Sequence, residues 1–223
     1  MKCSIIIAVL DSHEVVKRQI NHFNNILTDD FEVIIVDDGS DIPITNDIDT
    51  KFPLTILYTD DKRPWSQPRA RNIAAGQAQG DYVFMIDVDH FLSPENVTDA
   101  INFTDDKMVF NRRFAVLDEN SEIAHDGETL IEYGCPVKNV GRLIGANINQ
   151  FIMKKEIFCN LLKGYDERFC GSHGGDDTDL ADRYGKLHRE GLVNRSLRGS
   201  EIYVFPDPGR DVKKIFHHLR WKN

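Results

Sequence analysis

Residues 81–90 read Asp81-Tyr82-Val83-Phe84-Met85-Ile86-Asp87-Val88-Asp89-His90. The apolar run from Tyr82 to Ile86 has the length and composition of a buried strand. It stops at two carboxylates, Asp87 and Asp89, followed by an imidazole. Side chains two apart in a strand share a face, so the two aspartates are expected to converge just past the strand's end. In open α/β sheets that carboxyl edge is where ligands sit. Carboxylate oxygens suit Mg²⁺ or Mn²⁺, and these in turn suit a pyrophosphate. The same stretch also fits a strand-end turn with solvated acids, so the rest of the chain has to choose between the two readings.

Upstream, Ser4–Leu10 (SIIIAVL) and Phe31–Val36 (FEVIIV) are two more continuous apolar strands. Between them Asp11-Ser12-His13 supplies a helix start, and Glu14–Leu27 places Val15, Val16, Ile20, Phe23, Ile26 and Leu27 at helical spacing. Strand, helix, strand, with each strand apolar throughout, is the pattern of a parallel sheet covered on both faces. Thr55–Tyr58 is a short third strand. Arg69–Gln79 reads as a helix closed by Gly80 at its C-terminal cap, and Ser93-Pro94-Glu95 starts another. The first hundred residues therefore read βαβ-β-αβ-α. Further on, Met108–Leu117, Gly145–Met153 and Glu201–Phe205 are expected strands. Lys155–Leu162 and Thr178–Glu190 are expected helices, and Lys214–Trp221 closes the chain. Without repeat or linker, the expectation is an α/β protein of one Rossmann-like domain over residues 1–223. Its sheet is mostly parallel and flanked by helices. Residues 1–100 form a nucleotide-binding half, and 101–223 an acceptor-binding half that completes the site.

The charge is uneven. The net value is −9, but from Arg183 onward ten Lys/Arg face four Asp/Glu, a balance of +6 that leaves −15 for residues 1–182. An acidic body argues against broad nucleic-acid binding, so a nucleic-acid acceptor is not expected. A basic tail near an acidic site could hold an anionic ligand there. No apolar run approaches the ~18 residues of a membrane span, and Ile5–Leu10 is too short for the core of a signal peptide. The four cysteines form no CxxC pair, which fits a reducing compartment. The expected location is cytoplasmic.

Four clusters of functional side chains follow expected strand ends: Ala8–Asp11, Asp37-Asp38, Asp87/Asp89 and Asp176/Asp177. In order and spacing, SIIIAVLDS, EVIIVDDGSD, ARNIAAGQAQGDYVFMIDVD and GYDERFCGSHGGDDTDL resemble the motifs of family 2 glycosyltransferases with a GT-A fold. The resemblance runs from Ser4 to about Leu180, with a fainter echo in IFHH near the C-terminus. It implies transfer of a sugar from a nucleotide diphosphate donor with the help of a divalent metal.

Carried onto this sequence, the resemblance makes Asp38 the base-recognising carboxylate, suited to the imide N–H of uracil and hence to a UDP-sugar. Ala8 and Leu10 fall at first-strand positions beside the nucleoside. The family commonly has proline or threonine and then tyrosine there, so stacking is weaker here. Arg71 matches the family's ARN arginine, able to brace diphosphate oxygens or the DxD carboxylates, and Asn72 beside it reads as structural. Trp65 and Gln67 lie in the loop before that helix. Asp87 and Asp89 match the DxD motif, with Asp89 on the metal and Asp87 supporting it while contacting ribose or sugar. His90 stands where many members carry another acid. His217 matches a metal-binding histidine of several members and favours Mn²⁺ over Mg²⁺. Asp177 matches the second acid of GGEDxDL, the general base of inverting members, and Asp176 replaces the glutamate before it. His173 replaces an aromatic residue. The acceptor is expected to present a hydroxyl on a glycan, a lipid-linked molecule or another compound.

Other readings have less in the sequence to stand on. A nucleotidyltransferase would carry a glycine-rich, basic loop after the first strand, where AVLDSHE stands. Neither GxGxxG nor GxxxxGK[ST] occurs. A non-catalytic module that binds nucleotide sugars or glycans would share the fold without needing Asp177.

Overall fold

The computed structural model describes residues 2–61, 63, 65–115, 143–172 and 174–204. The elements in chain order are β1 (Cys3–Val9), α1 (His13–Ile26), β2 (Phe31–Asp37), β3 (Leu54–Tyr58), α2 (Gln67–Gln77), β4 (Tyr82–Asp87) and β5 (His90–Phe91). They continue with α3 (Pro94–Asn102), β6 (Lys107–Phe114), β7 (Leu143–Lys154), α4 (Asp176–Arg189) and β8 (Leu197–Val204). A π-type turn over Ile157–Leu161 and a 3₁₀ turn over Glu167–Phe169 lie between β7 and α4.

All eight strands share one sheet, in the order β3-β2-β1-β4-β7-β6-β8-β5. The β3-β2-β1-β4 block is parallel throughout. β7 joins it antiparallel to β4, β6 is antiparallel to β7, and β8 runs parallel to β6. Every residue of β1 and β2 is buried, as strands covered on both faces require. One apolar cluster joins α1 and α3 to one face, through Val15, Ile20, Phe23, Val97 and Ala100. The other joins α2 and α4 to the opposite face, through Ala70, Ala74, Leu180 and Tyr184. This is the expected mixed α/β architecture, with a mostly parallel sheet between helices.

The sheet's register delivers the site. Ala8 pairs with Asp87 and Val9 with Asp37, so the carboxylates that end β2 and β4 lie on either side of the end of β1. α3 begins as the sequence indicates, with a reciprocal capping box. Asn96 N–H donates to Ser93 Oγ, and Ser93 N–H donates to Asn96 Oδ1.

Gly80 is not a helix cap. α2 ends at Gln77, and Ala78, in an extended conformation, donates its N–H to Ala74 O. Gly80 is instead a point of close approach, because a Cβ there would stand 2.8 Å from Ser4 N and from Cys3 C. Its N–H donates to Ser4 Oγ at 2.9 Å, tying the start of β4 to β1. The expected helix at Lys155–Leu162 is a short turn that widens into π geometry. α4 begins at Asp176, two residues earlier than its pattern suggests. Lys214–Trp221 lies outside the described residues. Among the described residues, no helix is long and apolar enough to cross a membrane.

Candidate active site

The two aspartates of Asp37-Asp38 divide their labour. Asp37 holds the turn: its Oδ1 accepts from Gly39 N and Ser40 N, and its Oδ2 from Ile44 N. That leaves Asp38 to face the neighbouring loop, where Oδ2 accepts from Ser66 N at 2.8 Å and Oδ1 from Thr59 Oγ1 at 3.4 Å. Burial pushes the Asp38 carboxyl up to about 7, against the pull of those two donors. Ala8 is buried on β1. Leu10, half-buried, lies in the turn after β1, where its carbonyl accepts from Ser12 Oγ at 2.7 Å.

Arg71 is the hub. It projects from α2, is fully buried, and donates through Nη2 to Asp87 Oδ1 at 2.5 Å. Through Nη1 it donates to Tyr165 Oη at 3.1 Å and to Asp177 Oδ1 at 3.4 Å. Burial alone would lower the guanidinium's pKa, but Tyr165, Asp87, Asp177 and Asp176 together hold it above its ordinary value. Arg71 thus links the end of β4 to the first turn of α4. Asn72 fixes the backbone opposite: its Nδ2 donates to Tyr165 O and its Oδ1 accepts from Tyr165 N.

Asp87 is held from three directions. Gln67 Nε2 donates to Oδ1 at 3.2 Å alongside Arg71, and Gln150 Nε2 donates to Oδ2 at 2.6 Å. Gln150, on β7, is fully buried. No local pattern announces its role; the only signal is a glutamine immediately before the apolar run Phe151–Met153. Tyr165 lies within the quoted motif GYDERFCGSHGGDDTDL, but its place beside Arg71 shows only in the structure.

β4 ends at Asp87, and a turn at Val88-Asp89, rather than strand alternation, brings the DxD carboxylates together. Asp87, Asp89 and His90 present ligand atoms within 4.8 Å of one another. His90 is buried rather than solvated, with Nδ1 2.9 Å from Asp89 Oδ1 and 4.0 Å from Asp87 Oδ2. Two carboxylates and an imidazole form a donor set that fits Mn²⁺, and less readily Mg²⁺. The Asp89 side chain is 36% exposed, against 21% for Asp87, so Asp89 is the more reachable carboxylate. His217 and His173 lie outside the described residues.

Asp176 and Asp177 form the first turn of α4 with Asp179, where the helix dipole favours acids. Asp176 is buried. Asp177 is raised to about 6 by burial; Arg71 and a hydrogen bond from Asn149 oppose the rise, while Asp176 and Asp87 add to it. Gly175, just before the helix, has φ 96°, and a Cβ there would stand 2.8 Å from the Phe169 ring. Only glycine meets both demands. Trp65 adopts φ 59°, and its carbonyl accepts from Gly171 N at 3.0 Å. The loop before α2 is thus bound to the loop that leads to Asp177.

The poly(ribitol-phosphate) beta-N-acetylglucosaminyltransferase TarS of Staphylococcus aureus (strain Mu50 / ATCC 700699) is 29% identical over 113 residues, 48% of this chain. The match covers only 19% of that protein. A crystal structure of S. aureus TarS 1-349 in complex with UDP superposes with a TM-score of 0.62 at 16% identity, over 98% of this chain and 64% of that one. The same fragment in complex with UDP-GlcNAc gives 0.62 at 16% identity, over 96% and 61%. At that identity the superpositions speak to the fold alone. The family model "Glycosyl transferase family 2" matches residues 4–162, the segment that carries Asp38, Arg71, Asp87, Asp89 and Gln150. With most of its length under that match, the chain belongs to glycosyl transferase family 2.

Proposed function

We propose that this chain moves a sugar from a nucleoside diphosphate donor, UDP-linked, onto an acceptor hydroxyl, with inversion at the anomeric carbon. The observation that carries the reading is the Arg71 guanidinium, which joins the end of β4 to the first turn of α4 through Asp87 and Asp177. A donor-side carboxylate and a candidate base therefore share one fixed cation. The TarS complexes with UDP and UDP-GlcNAc support the donor class. Asp38, freed from turn-holding by Asp37, is the candidate acceptor for a uracil imide N–H, with Ala8 and Leu10 beside the nucleoside.

In the proposed reaction Asp177 Oδ takes the proton of the acceptor hydroxyl as that oxygen bonds to the anomeric carbon. The bond from that carbon to the diphosphate oxygen breaks, and its electron pair leaves with the nucleotide. A positioned general base contributes roughly 10²–10⁴-fold. Asp89 would hold a divalent cation, Mn²⁺ in preference to Mg²⁺, with Asp87, His90 and, from the sequence resemblance, His217 beside it. Such a cation neutralises charge that grows on a leaving diphosphate. Arg71 keeps Asp87 oriented and favours the ionised form of Asp177, and Asp176, buried beside it, adds its charge to the same site. The acceptor proposed is a hydroxyl on a glycan or a lipid-linked molecule. The test is release of UDP from a panel of UDP-sugars with Mn²⁺ and candidate acceptors. No release from any donor would favour a non-catalytic sugar-nucleotide-binding module on the same fold.

A further inference from the structure

We propose that Gln19 and His22, one turn apart on α1, are positioning residues for the cation-binding turn. They grip its backbone from behind and so fix where Asp89 and His90 present their ligand atoms. Gln19 Nε2 donates to Val88 O at 3.0 Å and to His90 O at 2.5 Å. Those two carbonyls flank Asp89. His22 Nε2 lies 2.7 Å from Leu92 O, and a carbonyl only accepts, so Nε2 carries the proton. The His22 ring also stacks on Phe91, with centroids 3.5 Å apart.

Both side chains lie on the buried face of α1, 2% and 8% exposed, among Val15, Val16, Ile20 and Phe23. A leucine would pack there as well as a glutamine. The glutamine is the costlier choice, since its Oε1 is buried with no hydrogen-bond partner among the described residues. The two bonds to the turn offset that cost. Without them the carbonyls of Val88 and His90 would lose these donors in a buried setting, where a missing partner is costly. Outer partners of metal ligands typically change affinity by about 10–100-fold. These two act through the backbone of the ligand-bearing turn rather than on a ligand side chain.

The inference rests on the reading of Asp89 as a cation ligand. Its test is Mn²⁺ titration in the presence of UDP, read by electron paramagnetic resonance of the free ion. The chains compared are the wild type, Gln19→Leu, His22→Phe and a core control, Val97→Ala on α3. His22→Phe keeps the stack on Phe91 and loses the bond to Leu92 O. The expected result is an affinity about 10–100-fold weaker in Gln19→Leu, a smaller loss in His22→Phe, and wild-type affinity in Val97→Ala despite its lower melting temperature. Wild-type affinity in His22→Phe and in any folded Gln19→Leu overturns the proposal. So does an equal loss in Val97→Ala, which would reduce the effect to general destabilisation. A wild-type chain that binds no Mn²⁺ strikes down the cation reading itself, a different result from equal binding by all four.

Discussion

Asp87 ends a strand and Asp177 opens a helix, yet both place Oδ1 on the same buried guanidinium, at 2.5 and 3.4 Å from Arg71. Two acids on one guanidinium are coupled, and neither can move without disturbing the other. Arg71→Met is expected to cost about 3–5 kcal/mol, the penalty for stranding a buried charge. It also removes the pull that holds Asp177 down, so the acid limb of the activity profile should move to higher pH. Urea denaturation and a pH–rate curve on the variant measure the two effects separately. An unmoved acid limb would take Arg71 out of contact with the base.

Asp177→Asn is expected to lower turnover by roughly 10²–10⁴-fold and to leave UDP affinity within about threefold. In the wild-type chain, kcat/KM should rise with pH through about 6, where Asp177 loses its proton, and then level off. Turnover in the variant equal to the wild type would remove Asp177 from the role of base.

Asp89→Ala should weaken Mn²⁺-dependent UDP binding by at least about tenfold while leaving any metal-independent binding in place. Calorimetry with and without a chelator separates the two components. Chelation should abolish transfer by the wild-type chain, with recovery on re-addition of Mn²⁺.

Asp38 gives a pH signature of a different kind. Its folded value, about 7, is above the ordinary carboxylate value of 3.8. The folded chain therefore holds that proton more tightly than the unfolded one. The resulting stability is fully present below about pH 4 and is lost as pH rises to about 7. Asp38→Asn should raise the melting temperature of the ligand-free chain at pH 8 by roughly 2–8 °C and flatten its dependence between pH 4 and 7. The same variant should bind UDP more weakly. A variant with unchanged UDP affinity would leave Asp38 as a purely structural acid.

The strands, the covering helices and the acidic strand ends were legible because each is written locally. β1 and β2 are unbroken apolar runs, Asp38, Asp87 and Asp89 interrupt or follow apolar segments, and Asp177 follows a glycine-rich loop. What escaped the sequence depends on distant partners. Gly80 looks like a helix cap because it follows an alanine-rich helix, yet its reason is the backbone of Ser4. His90 looks like a solvated turn residue until β8 pairs with β5 and buries it. Gln19, Gln67 and Gln150 carry no motif, since an amide's value lies entirely in what it meets. The choice between Asp37 and Asp38 as turn-holder also needed coordinates, because adjacent carboxylates are equally suited to an Asp-Gly turn.

β7 runs between β4 and β6, and it comes from the second half of the chain. A fragment that stopped after α3 would contain β1 to β5 but leave the Tyr82–Met85 flank of β4 with unfilled N–H and C=O groups along an apolar strand. Such an edge invites pairing with other copies. Cut there, the chain would yield a self-associating, sticky piece rather than a stand-alone nucleotide binder.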